Sequence, residues 1–191
     1  MGVYGPSCPY ENCSVAASFR SNCLNPAWGL RGVGDERTAT DPSRVLGMFN
    51  WGGIVLRVTD VTDGASNTLF VGEMLMNQNA RVIEMWNQGG WVDAKTWVNL
   101  GYTNIPINHF TPVDYSDQKV INSDYGCGNT GDDLHSSQNY AVSQGYKSRH
   151  TGGVNFLFVD GHVTFISQYI NQETYTYLSI RNDGRVVPNF N

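Results

Sequence analysis

His150 and Asp160 are the two residues whose types most invite chemistry, because an imidazole and a carboxylate can form an acid–base couple or supply two ligands to a metal ion. Their spacing argues against a shared site. Val154 to Val159 reads as a strand, which at about 3.3 Å per residue spans about 17 Å. Asp160 stands at its turn end and His150 beyond the opposite end. Asp160 is explained by the turn that Asp-Gly prefers. His150 is expected to anchor the loop entering the strand through its ring nitrogens, with Thr151-Gly152-Gly153 permitting a sharp backbone path.

A second group is Asp60, Asp63, Ser66 and Asn67, all oxygen ligands of the kind a hard cation such as calcium takes. The spacing is not that of an EF-hand loop. Backbone capping accounts for the same residues: Asp60 can cap a short helical turn, Asp63 follows as a capping-box acid, and Gly64 closes the turn with a left-handed backbone. Asp132 and Asp133, with Asp114, Asp117 and Asp124, make the polar stretch 101–148 a further calcium candidate. Cys8, Cys13, Cys23 and Cys127 form an even set in a loop-rich chain, which favours disulfides with three possible connectivities. Free thiols and a metal site are the alternatives, the latter without a Cys-x-x-Cys pair. Gly-x-Ser-x-Gly, His-Glu-x-x-His, a Walker loop and a dinucleotide fingerprint are all absent. Cys127 has no helix start or cationic neighbour to lower its pKa toward a neighbouring histidine. No catalytic residues are assigned.

The elements that must position these groups centre on residues 149–166. Asp160-Gly161 between two apolar runs predicts a two-residue hairpin, with Val159 opposite His162, Phe158 opposite Val163 and Phe156 opposite Phe165. That register puts Val154, Phe156, Phe158, Val163 and Phe165 on one apolar face. The end of 46–58 (GGIVLRV) and Thr68–Met74 read as further strands. Gln172–Ile180 reads as a short helix turning Tyr175 and Leu178 to the sheet. Asn182-Asp183-Gly184 reads as a turn before a last short strand at Arg185–Val187. Residues 1–44 read as loop, with one helical turn near Ser14–Ser21 and Trp28 packing inward. Trp51, Trp86, Trp91 and Trp97 are assigned to the core by burial preference. The expected architecture is α+β: one domain over 1–191, with a Cys-containing loop segment at 1–44 and a sheet-bearing core at 45–191.

Composition narrows the function classes. The 191 residues carry a net charge of −5, with 40% hydrophobic residues and 21 glycines. Lysine occurs at Lys95, Lys119 and Lys147, with no basic patch, so nucleic acid is not an expected partner. No run of about 18 apolar residues offers a membrane span, and no signal peptide is present.

Two motifs carry a resemblance. His150, nine residues and then Asp160-Gly161 resembles the tail signature of a bacterial prepilin-like family with a "prepilin-type processing-associated H-X9-DG" segment. VTDGASNTLFVGE, Val61–Glu73, is similar to that family's "ITDGTSNTLLVGE" pattern, and the two occur in the family's order. The motif positions are Asp63, Gly64, Ser66, Asn67, Thr68, Gly72 and Glu73 in the first, and His150, Asp160 and Gly161 in the second. The resemblance implies a pilin-like head domain with an antiparallel sheet, short helices and long Gly/Asn-rich loops. The full-length form would add an N-terminal helix, trimmed or processed here; an anchorless member is the alternative. It implies a non-catalytic assembly protein, exported to the periplasm or cell surface, whose partners are its own copies or other pilin-like subunits. Calcium is the cofactor it allows. A glycan- or protein-binding module, carried by the tryptophans or the 101–148 loop, is the second expectation, and a secreted hydrolase the third.

Overall fold

In the computed structural model the described residues are 1–6, 19, 22, 25–28, 42, 45–50, 54–75, 78, 100–110, 143–185, 187 and 190. They contain strands β1 (Gly2–Gly5), β2 (Leu69–Gly72), β3 (Leu100–Tyr102), β4 (Gly153–Phe158) and β5 (Val163–Ser167), and helix α1 (Gln172–Leu178). The strands form one sheet in the order β3-β1-β2-β4-β5. Every pairing is antiparallel except β1 with β3, which is parallel. An α+β arrangement with a mostly antiparallel sheet is therefore present.

The Asp-Gly hairpin forms, but one residue out of the expected register. Val154 faces Ile166, Asn155 faces Phe165, Phe156 faces Thr164 and Leu157 faces Val163. The loop has three residues rather than two: Phe158 N–H donates to the His162 carbonyl at 2.9 Å, and Gly161 N–H to the Phe158 carbonyl at 3.0 Å. Gly161 takes φ +95°, the left-handed residue that a three-residue loop with a bulge needs. Because side chains alternate, the shift turns all of β5 over. Ile166 is buried, while Val163 is 63% and Phe165 44% exposed. The outward Phe165 ring lies over Gly153, where an added Cβ would come within 2.7 Å of it.

Sequence patterning misread the start of the chain. Gly2–Gly5, expected to be loop, is a strand between β2 and β3. Its neighbours Val3 and Tyr4 are both buried in separate apolar clusters, as the alternation of a strand covered on both faces requires. Leu100–Tyr102 was likewise hidden at the edge of an irregular stretch. Conversely, residues 54–57 join no strand, and Val55 is 80% exposed. Among the described residues of the 52–74 region, only Leu69–Gly72 enters the sheet. Arg185 and Val187 are not strand residues. Trp28 is half-buried.

The main cluster unites Val3, Leu69, Val154, Phe156, Phe158 and Ile166 from the sheet with Tyr175 and Leu178 from α1. Asn171 caps that helix, its side-chain oxygen accepting the Thr174 N–H at 3.1 Å. Tyr146 crosses the same face. Its hydroxyl lies 2.9 Å from the Gly2 carbonyl and 3.0 Å from the Gly101 carbonyl, and its ring packs directly on Gly72 and Gly101. Glycines on β2 and β3 thus make room for one tyrosine, and any side chain at Gly72 would strike the rings of Tyr146 and Phe156.

Candidate functional site

The two motifs, far apart in sequence, lie side by side. The 61–73 stretch runs along β4 and meets the hairpin at both ends. At the turn end, Asp160 N–H donates to the Ala65 carbonyl at 3.2 Å and Val159 N–H to the Thr68 carbonyl at 3.0 Å. At the other end, Glu73 accepts the Asn155 N–H at 2.9 Å, and its second oxygen lies 3.3 Å from His150 Nε2. Glu73 N–H in turn donates to the Asn155 carbonyl at 3.3 Å, and Lys147 N–H to the Glu73 carbonyl at 3.1 Å.

His150 and Asp160 therefore have different partners. His150 pairs with Glu73, while Asp160 Oδ1 accepts the His162 N–H at 3.1 Å and lies 2.6 Å from His162 Nδ1. The His162 ring stacks on Phe158 with centroids 4.3 Å apart. The His162 backbone bond and ring hold the exposed Asp160 carboxyl below its ordinary value. Burial works against ionising Glu73, but bonds from Asn155 and Ser148 and the charge of His150 outweigh it, so its pKa also lies below the ordinary one.

Asp60 and Asp63 take roles other than those their spacing suggests. Asp60 ends the 3-10 turn Val58–Asp60 and its carboxylate reaches back to the Arg57 N–H at 2.7 Å; it is the acid of the turn and not its cap. Asp63, 6% exposed, spans the fold: Oδ2 accepts the Asp183 N–H at 2.7 Å and Oδ1 the Gly184 N–H at 2.8 Å. Thr62 N–H and Asp63 N–H both donate back to the Arg181 carbonyl, at 2.9 and 3.3 Å. The 61–63 loop and the 181–184 turn are clasped in both directions. Asp63 is thereby an anchor for backbone.

The remaining motif residues build the loop itself. Gly64 has φ +98° and leads into the 3-10 turn Ala65–Asn67. Its carbonyl accepts the Asn67 N–H at 2.9 Å and the Thr68 hydroxyl at 3.2 Å, and the Asn67 side chain donates to the Asp63 carbonyl at 3.3 Å. Ser66 is exposed. Among the described residues, no three His, Cys, Asp or Glu side chains are grouped to hold a metal. Asp132, Asp133, Cys8, Cys13, Cys23 and Cys127 lie outside the described residues, as do Trp51, Trp86, Trp91, Trp97 and, apart from Phe19, the Ser14–Ser21 turn.

Pattern reading missed Tyr146 and the buried Lys147, whose Nζ donates to the Ser143 carbonyl at 2.7 Å. Burial pulls that amine down to about 7. Both residues sit in a Gly/Ser-rich stretch without periodicity, so no local signal marked them. What the arrangement does chemically is hold backbone: its carboxylates face N–H groups of the chain itself. No helix of the described residues is long and apolar enough to cross a membrane.

No curated protein and no solved structure matches the chain. A family model described as "Protein of unknown function (DUF1559)" matches residues 8–173, and the chain belongs to that family.

Proposed function

We propose that this chain is the head of a pilin-like, non-catalytic assembly protein, exported and displayed outside the cytoplasm, that acts by contact with its own copies or with other pilin-like subunits. The observation that supports it is the use of the motif residues. Asp63, Glu73 and Asp160, the groups best suited to chemistry, bond to backbone N–H groups at 183–184, 155 and 162. A chain that invests its acids in bracing is organised to present a rigid surface. The H-X9-DG resemblance supplies the pilin-like part of the reading.

The test is cross-linking in cells expressing the full-length protein, with a photoreactive residue at the outward Val163 position. A ladder of cross-linked subunits in the sheared surface fraction is expected. Recovery of the chain solely as an uncross-linked cytoplasmic monomer would sink the proposal.

A second reading, an extracellular glycan- or protein-binding module, is favoured by the exposure of Val163, Phe165 and Tyr169. Aromatic side chains with one face free are suited to stacking on sugars or apolar partners. A soluble glycan or peptide that protects the chain against thermal unfolding, in a way that Phe165→Ala and Tyr169→Ala abolish, would favour this reading over assembly.

A further inference from the structure

The clasp between Asp63 and the 181–184 turn leaves one atom unaccounted for. Asp183 Oδ1 accepts the Arg185 N–H at 2.9 Å, but Asp183 Oδ2 is shut off from solvent and has no hydrogen-bond partner. The Asp63 carboxyl is held beside Asp183, because Asp63 binds the N–H groups of Asp183 and Gly184. Fully ionised, the pair would set two carboxylates on one turn, one of them with an oxygen sheltered from water and lacking a donor. That arrangement carries a desolvation cost and a like-charge cost together. One proton on Asp183 Oδ2 removes both, since the acid then donates to the Asp63 carboxylate. Two backbone N–H groups already point at the Asp63 carboxyl.

We propose that Asp63 and Asp183 share one proton, and that this proton sets how tightly the 181–184 segment is clasped to the 61–63 loop. Among the described residues, the other charged groups on these segments make contacts of their own. The Arg181 guanidinium reaches the carbonyls of Val45 and Pro42, and that of Arg185 lies 4.3 Å from the centroid of the Tyr177 ring. The Asp60 carboxylate is turned to the Arg57 N–H. Burial and the neighbouring Asp63 push Asp183 up to about 6, against the pull of the Arg185 N–H.

The sign follows from linkage. An acid that holds its proton more tightly when folded contributes stability fully below its ordinary value of 3.8, and loses it as the pH rises through about 6. The clasp is tight in mild acid and loosened at neutral pH. It joins three parts of the chain, because Arg181 N–H also donates to the Leu46 carbonyl at 3.0 Å.

The experiment compares thermal midpoints of the wild-type chain and Asp183→Asn from about pH 4 to about pH 7, in chelator, together with carboxyl carbon NMR of the wild type. Asparagine can donate to Asp63 without titrating. The wild-type midpoint is expected to fall relative to the variant across this window, and the Asp183 carboxyl to titrate near pH 6 instead of 3.8. Midpoint curves that stay a constant distance apart, or an Asp183 carboxyl titrating at its ordinary value, would overturn the proposal. A calcium-specific rise in the wild-type midpoint that Asp183→Asn abolishes would also overturn it, by putting a shared cation in the proton's place. The NMR arm needs no variant and decides the matter even if Asp183→Asn fails to fold.

Discussion

Asn155 N–H donates to Glu73 Oε2 at 2.9 Å while Glu73 N–H donates to the Asn155 carbonyl at 3.3 Å, so each residue holds the other through its main chain. β2 ends at Gly72, and beyond it the backbone bond from Glu73 and this side-chain contact together extend the pairing with β4. Glu73→Ala should therefore strip the Asn155 N–H of its acceptor at the sheet end and cost about 1–2 kcal/mol in denaturant unfolding, with Glu73→Gln losing less.

The same carboxylate predicts an acid limb. Its pKa is lowered in the folded chain, so its contribution is present above the ordinary value of 4.5 and is lost as the pH falls through the lower, folded value. This runs opposite to the Asp183 effect. Midpoints measured below pH 4.5 should fall more steeply for the wild type than for Glu73→Gln.

Asp63→Ala should be more damaging than loss of a surface acid, because it leaves two backbone N–H groups at 183 and 184 without acceptors. A cost of about 2 kcal/mol is expected in denaturant unfolding, at the usual scale for an abandoned donor. Hydrogen exchange should report where it falls: the Asp183 and Gly184 amides lose protection while those of β4 keep theirs.

How far the sequence foretold this structure can be judged from particular residues. The hairpin, the helix at Gln172 and the turn at Asn182-Asp183-Gly184 were legible because each rests on a local rule of turn or cap chemistry. The hairpin register was not. Asp-Gly serves both two- and three-residue loops, and the choice depends on contacts from Ala65 and Thr68, which lie about a hundred residues away in the chain. β1 was unreadable for a similar reason: in Gly2-Val3-Tyr4-Gly5 the glycines suggest loop until Phe49 is seen to pack on Gly2 and the Gly47 backbone on Gly5. Asp63 looks like a local capping acid in sequence, yet its partners are at 183 and 184. Side-chain types were visible; the long-range partners that give them meaning were not.

The observed register can be checked with two substitutions on one strand. Ile166→Ala empties a buried position under α1 and should cost about 2–5 kcal/mol, whereas Val163→Ala, three residues earlier on the outer face, should cost under about 0.5 kcal/mol. Equal losses at both positions would contradict the three-residue loop.

Glycine-to-alanine changes should separate two physical causes. At Gly161 an added methyl meets nothing within 4 Å, so only the left-handed backbone opposes it, at about 1–2 kcal/mol. At Gly72 the methyl runs into the Tyr146 and Phe156 rings, and overpacking of about 1–3 kcal/mol is expected. Gly72→Ala combined with Tyr146→Ala should recover part of that loss, while the Gly161→Ala and Tyr146→Ala costs should simply add.

The strand order has a consequence for how the chain comes together in time. β1 sits between strands that begin at residues 69 and 100, and β2 must wait for a partner that begins at 153. Among the described strands, only β4 and β5 are paired across a short loop; β1 and β2 also pair, but across about sixty intervening residues. Closing such distant pairs is entropically expensive, and chains dominated by them reach the folded state slowly. During synthesis the first strand would remain without its sheet while some seventy residues follow it, and the sheet would close only after the hairpin has emerged. The segment most dependent on help during synthesis is thus β1, and a factor that shields extended, glycine-flanked backbone would act there first.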